Sequence, residues 1–251
     1  MAGSEIDPQP LSHPDGILPD DEVHVWQVDL AAWDISTGQL LGVLNAEEQE
    51  RAARFKFDAP RNQFVISRAL LRRALGLYLR VEGPQIQFRI STNGKPELAD
   101  DYGLRFNLSH TGGATVFAIT RKRNVGIDVE RIRDNPDAMK LAARFFSAEE
   151  VQWLRSQPAA EISASFFRVW TGKEAYIKAD GDGLSKSLSS FSVLRVDGES
   201  LLRLNVYDDP EESKRWRMWK LDLGPGLQAA LAVEGDGARV RVGKWPGPGA
   251  G

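Results

Sequence analysis

Residues 124–132 read NVGIDVERI, and their reading decides how the rest of the chain divides. Val125, Ile127 and Val129 alternate with Gly126, Asp128 and Glu130, the period of a β-strand. Before this strand the order is strand, helices, strands; after it the same order starts again. EVHVWQVDL (residues 22–30) alternates as a strand, and NAEEQERAARF opens a helix with Asn45 as N-cap and Glu48 at the capping-box position. A second helix over 60–80 places Phe64, Leu71, Leu75 and Tyr78 on one face. Strands are expected near 85–91, 104–108 and 114–121. Beyond NVGIDVERI, helices are expected near 136–143, 147–156 and 160–179, with Ser147 and Glu150 forming a capping box. Strands then recur near 188–196, 201–207, 216–223, 228–233 and 238–242.

The repeated order predicts an α+β fold of two similar α+β subdomains, residues 22–122 and 123–244, with a ligand site at their interface. Residues 1–21 carry four prolines and little periodicity, which predicts a disordered arm. Residues 245–251 read as a frayed end.

Composition narrows the function. The chain has 251 residues, 42% hydrophobic and 27% charged, the balance of a soluble globular protein. No apolar run approaches the ~18 residues of a membrane span, and the N-terminus lacks the order of a signal peptide, so a cytoplasmic protein with no membrane partner is expected. Zero cysteines exclude disulfides, thiolate zinc sites and a cysteine nucleophile. A net charge of -3 argues against nucleic-acid binding.

Three constellations can carry chemistry. In NVGIDVE the two acidic Cα atoms lie ~6.6 Å apart on one strand face, so both carboxylates can converge on a hard cation; a strand with its polar side in water is the plain alternative. In WTGKEAYIK (residues 170–178) Trp170, Glu174 and Lys178 share a helix face with Lys173 beside them. The helix is apolar over a wide arc, so its charges need partners or a function; an ordinary Glu–Lys surface pair is the alternative. Gly181 is placed to end this helix in the left-handed conformation. In FNLSHTGG (residues 106–113) Gly112-Gly113 marks a hairpin, while Ser109 and His110 could hold phosphate oxygens. No nucleophile elbow is present, and adjacent Ser and His on an extended chain point apart, which excludes a serine-hydrolase pair. Arg61, Arg68 and Arg72 border the apolar stripe of the second helix, with Arg51 before them. They form either a solvated basic face or a site for a buried anion.

Taken together, VGIDVE, RFFSAEE and FRVWTGKEAYIKADGDGL, preceded in order by NGKP (residues 93–96) and FNLSH (106–110), resemble the signature of the 4'-phosphopantetheinyl transferases. The resemblance spans residues 45–184 and is to the larger two-subdomain type that activates surfactin-like synthetases. It implies two similar halves in pseudo-two-fold arrangement around coenzyme A. It also implies transfer of the phosphopantetheine arm to a serine of an apo acyl- or peptidyl-carrier protein, with release of 3',5'-ADP, by a monomer. By motif, Asp128, Glu130 and Glu174 become magnesium ligands, and Glu174 and Lys178 the catalytic pair, with Lys178 facing the transferred phosphate. Lys95, Ser109, His110 and Asp128 fall at coenzyme-contacting positions, and Arg51 and Arg61 near the nucleotide's 3'-phosphate. Glu48 stands where the family carries a further cation. Glu150 matches a family acid, although its capping position explains it equally well. Two other classes share these residues: a magnesium-dependent phosphoesterase, and a non-catalytic coenzyme A or carrier-binding module.

Overall fold

Four layers stack in the order helix, sheet, sheet, helix, and the site lies where the two sheets meet edge to edge. The computed structural model describes residues 6, 11, 17–29, 37–91, 94–181, 186–196 and 200–245. The first sheet contains β1 (Glu22–Asp29), β4 (Leu104–Thr111), β5 (Ala114–Arg121) and β11 (Arg239–Lys244), in the order β11-β1-β5-β4. The second contains β6 (Val125–Arg131), β7 (Phe191–Arg195), β8 (Leu201–Val206), β9 (Trp216–Leu221) and β10 (Leu227–Glu234), in the order β6-β10-β9-β8-β7. A small hairpin of β2 (Phe88–Ile90) and β3 (Pro96–Leu98) stands apart.

The helices follow the apolar patterning. The 22-residue α3 (Asp58–Leu79) lays Leu70, Leu71, Ala74, Leu75 and Tyr78 on Trp26, Phe106, Phe117 and Ile119 of the first sheet. The 19-residue α6 (Ile162–Asp180) lays Ala175, Tyr176, Ile177 and Ala179 on Phe191, Val193, Met218 and Ala230 of the second. Between the sheets, Val23, Val25, Val116 and Ala118 pool with Val125, Ile127, Val129, Trp219 and Leu231 in one core. The alternation read in NVGIDVE is thereby realised: its three β-branched side chains are buried between the sheets. Shorter helices complete the fold: α1 (Thr37–Leu41), α2 (Ala46–Ala53), α4 (Ala138–Phe145), α5 (Ala148–Arg155) and α7 (Pro210–Arg215). Among the described residues no helix is long and apolar enough to cross a membrane.

The caps follow the sequence except at Glu48, whose side chain pairs with Arg72 instead of closing a box with Asn45. The Asn45 side chain accepts the Glu48 amide at 3.0 Å, and Ser147 and Glu150 close a reciprocal capping box. Gly181, at φ +86°, ends α6, its N–H reaching the Ile177 carbonyl at 3.0 Å.

Four expectations differ. The last strand, β11, pairs in parallel with β1, so the C-terminal segment belongs by its hydrogen bonds to the first sheet. The arm expected to be disordered is ordered where described: Ile6 and Leu11 bridge to Val240 and Gly243, and Leu11 and Leu18 enter the first core. A Cβ on Gly243 would stand 2.6 Å from the Leu11 backbone oxygen, so this glycine admits the arm. Trp245, expected to fray, packs edge-on against Trp26 and Phe117, and that apolar contact holds it. Finally, the segment read as a strand over 85–91 is a short helical turn (Gly83–Gln85) followed by the three residues of β2.

Candidate active site

The site begins with a glycine. α6 crosses β6 so closely that a Cβ on Gly126 would stand 2.1 Å from the Ala175 carbonyl oxygen and 2.3 Å from the Ala179 nitrogen. Only a residue without a side chain allows this backbone-to-backbone approach. The crossing sets Glu174 and Lys178, one helical turn apart, above the polar face of β6 where Asp128 and Glu130 project.

On its other edge β6 meets β4, and the joint is made by side chains. Asn107 Oδ1 accepts the Ile127 amide at 2.9 Å, Ser109 Oγ the Val129 amide at 3.3 Å, and Thr111 Oγ1 the Arg131 amide at 3.2 Å. Alternate residues of one edge strand thus satisfy alternate amides of the other. The next residue along, His110, turns to the opposite side, as an extended chain requires.

Within this frame Asp128 is buried. Its Oδ1 receives Lys178 Nζ at 2.6 Å and Ser109 Oγ at 2.8 Å, while its Oδ2 is buried with no hydrogen-bond partner. Lys178 Nζ also donates to Ser109 Oγ at 3.2 Å and the Ile127 carbonyl at 3.4 Å. Glu130 lies outward, its Oε2 3.4 Å from Thr111 Oγ1 and 3.5 Å from Arg133 Nη1. Burial raises the Glu174 carboxyl above the ordinary glutamate value, and the negative charges of Asp128 and Glu130 raise it further against the pull of Lys178. The three acids sense one another's charge. Among the described residues, however, no three His, Asp or Glu side chains stand close enough to hold one ion. The expected three-carboxylate cluster is therefore not drawn together here, because Lys178 neutralises Asp128 and Arg133 draws Glu130 outward.

Lys173, expected beside Glu174 on the same face, turns inward instead. Its ammonium meets Glu150 at 2.8 Å and donates to the Leu188 and Phe191 carbonyls, both at 2.7 Å. Glu150 accepts the Val193 amide at 2.8 Å, in addition to its capping bonds to Ser147. Both residues are fully buried, and burial holds Lys173 down to about 8. Glu150 is thus a cap and also a tie: it fixes α5, α6 and β7 together and sets the rotation of α6 that aims Glu174 at β6.

A cleft of about 450 Å³ opens on the α3 side of β4. Arg51, Phe55, Phe64, Arg68, Pro96 and His110 are among the residues that line it. Arg51 and Arg68 both lie over the Phe64 ring, at 5.1 and 5.9 Å. Burial, and then the Lys178 ammonium, lower the His110 pKa, which favours its neutral form. Glu48 pairs with the buried Arg72 at 2.6 Å and lies 3.9 Å from Arg68, so part of the positive charge beside the cleft is already balanced. Arg72 also donates to the Gly83 and Ile86 carbonyls at 2.7 and 2.8 Å, so the anion it meets belongs to the protein itself. Arg61, expected to join Arg51, is half-buried at the start of α3 and is not among the residues lining the cleft. Lys95 departs from its expected coenzyme position: its Nζ donates to the Lys178 carbonyl at 2.6 Å and the Val125 carbonyl at 3.1 Å.

Comparison with known proteins places this geometry. Residues 26–122 match the family model described as 4'-phosphopantetheinyl transferase, N-terminal, and residues 124–233 that of the 4'-phosphopantetheinyl transferase superfamily. The chain is similar to the 4'-phosphopantetheinyl transferase HetI of Nostoc sp., with 42% identity over 89% of this chain and 92% of the relative. This chain belongs to the 4'-phosphopantetheinyl transferases. It is also similar to the 4'-phosphopantetheinyl transferase psf-1 of Bacillus pumilus, 39% identical over 81% of this chain and 84% of the relative. With Sfp of Bacillus subtilis the identity is 28%, over 78% and 84%.

The two family matches of the transferase meet at Arg123, where the sequence order restarts. Of the residues expected at the site, Ser109, Asp128 and Lys178 stand in direct contact, Glu130 and Glu174 flank them, and Arg51 and His110 share the cleft. Sequence reading missed Asn107 and Thr111, whereas Arg68, offered as either a solvated cation or an anion site, lines the cleft. The first two carried a signal: Asn107, Ser109 and Thr111 alternate with Phe106, Leu108 and His110, but the glycines at 112–113 suggested that the strand ended early.

Proposed function

We propose that the cleft and the β6–α6 cluster work together in moving 4'-phosphopantetheine from coenzyme A to carrier proteins, the reaction of this family. One observation carries this reading: a cationic, aromatic-walled cleft lies on one side of β4, and the acid–lysine cluster lies on the other. An anionic nucleotide with a flat base suits the cleft, and a phosphoryl group undergoing transfer suits the cluster.

In this assignment Arg51, Arg68 and His110 hold the nucleotide end, with the 3'-phosphate at the arginines. Magnesium suits the acids: Asp128 has a buried oxygen with no donor, and the Glu174 carboxylate is disfavoured by burial and by the charges of Asp128 and Glu130 until a cation joins it. When bound, the ion supplies the positive charge that lets a diphosphate approach carboxylates. Glu174 accepts the proton of the acceptor serine hydroxyl. The serine oxygen bonds to the phosphorus of the pantetheine arm, the bond to the bridging oxygen breaks, and 3',5'-ADP leaves. Lys178 exchanges Asp128 for the phosphoryl oxygens, a compact charge where charge develops. One chain holds both parts of this site, so the active unit is a monomer.

Product analysis tests the reading. Incubated with coenzyme A and magnesium, the transferase should release 3',5'-ADP only when an apo carrier protein is added. Release without a carrier would make water the acceptor and the protein a phosphoesterase. No release under either condition, with coenzyme still bound, would make it a binding module.

A further inference from the structure

We propose that Lys95 is a positioning residue, which bolts the end of α6 to the start of β6 and so fixes Lys178 opposite Asp128. The inference rests on the catalytic role assigned to Lys178 above.

Lys95 directly precedes β3 on the hairpin of the first half, yet both of its side-chain acceptors belong to the second. The last carbonyls of a helix have no intrahelical donor. At the end of α6 the Gly181 amide serves Ile177, and the carbonyl one residue on, that of Lys178 itself, is served by Lys95. The second acceptor, Val125, begins the strand that carries Asp128 three residues later. One amine thus sets the separation of the two elements at the residue that bears the reacting ammonium. A cation also suits the negative end of the helix dipole. Among the described residues no carboxylate pairs with it directly. Glu97 on β3, Arg105 on β4 and Asp180 on α6 act on it only at a distance.

Burial holds this ammonium down to about 8, so the position keeps a charge that packing alone disfavours. The neighbouring residue, Pro96, lines the coenzyme cleft. The hairpin therefore joins the cleft wall to the catalytic helix end, and the Lys95 side chain is directed to the protein backbone rather than to the coenzyme.

The test compares Lys95→Met, Lys95→Arg and Lys178→Ala. Coenzyme A affinity is read by calorimetry and kcat with an apo carrier protein. In Lys95→Met, kcat should fall at least about tenfold, the scale of a small misplacement of reacting groups, with coenzyme Kd unchanged within about twofold. Lys95→Arg, which keeps two donors on a long chain, should recover most of kcat. Weakened coenzyme binding with unchanged kcat would make Lys95 a coenzyme ligand and overturn the proposal. An inactive Lys178→Ala beside a fully active Lys95→Met would overturn it alone, whereas an active Lys178→Ala would remove the reading beneath it. Should Lys95→Met not fold, acetylation of the wild type still decides. The Lys95 amine should resist acetic anhydride equally with and without coenzyme A; reactivity that coenzyme suppresses would overturn the proposal.

Discussion

Replacing Gly126 with alanine should damage activity and stability together, and the size of both effects follows from the α6–β6 crossing. The new Cβ would stand 2.1 Å from the Ala175 oxygen, against an ordinary contact of 3.4 Å, so the helix must withdraw by roughly 1.3 Å. The obstacle is backbone on both sides, and no side chain can rotate away. Overpacking of this kind costs ~1–3 kcal/mol and occasionally more. At ~2–4 °C per kcal/mol for a chain of this size, Tm should fall by about 2–12 °C. The Lys178–Asp128 contact, now 2.6 Å, would open beyond hydrogen-bond range, and a shift of about 1 Å costs on the order of 100-fold in rate. Gly172→Ala is the control, because its Cβ would meet a side chain, Val193 Cγ1, at 2.7 Å. The smaller steric cost is there partly offset by ~1 kcal/mol of helix propensity. Circular dichroism melting and initial transfer rates, taken well below both melting points, measure the two effects. A Gly126→Ala protein with wild-type Tm and rate would refute the crossing.

The remaining predictions concern single side chains. In metal-free protein Glu174 binds a proton more tightly when folded than when unfolded, so its contribution to stability is present below the unfolded value and is lost as pH rises through the raised folded one. The stability of Glu174→Gln relative to wild type should therefore grow with pH across that window in urea titrations; a pH-independent difference would contradict the shift. Lys173→Met leaves Glu150 charged in a fully buried site and should cost about 3–5 kcal/mol, whereas the double variant with Glu150→Gln should recover part of that loss. Equal losses in the single and double variants would show that the pair is not coupled. Arg51→Ala should weaken coenzyme A by about 1.5–3 kcal/mol and scarcely change dephospho-coenzyme A, as calorimetry can read. Equal losses for both ligands would place the 3'-phosphate elsewhere.

Local rules reached far into this protein. The period of NVGIDVE named which side chains enter the core and which face α6, and the capping residues Asn45, Ser147 and Gly181 marked helix ends within a residue or two. Long-range choices were not legible. Nothing in β11 distinguishes pairing with β1 from pairing within its own half, because that depends on where a crossover returns. Lys173 and Glu174 are adjacent and equally polar. That the first turns to Glu150 and the second to β6 depends on how α6 is rotated by α5 and β7. The sequence offers Glu48 as a capping residue and Arg72 as either a solvated cation or an anion site; only the packing of α2 on α3 makes them a pair. For Lys95 the motif supplied a position but not a direction for its side chain.

The most direct test of the account is the intact mass of an apo carrier protein after incubation with coenzyme A, magnesium and this transferase. The account predicts a gain of one phosphopantetheine with wild type, and no gain when the ion is chelated or when Asp128 is replaced by alanine. A full gain with Asp128→Ala, or with magnesium removed, would contradict the site assigned to β6 and α6.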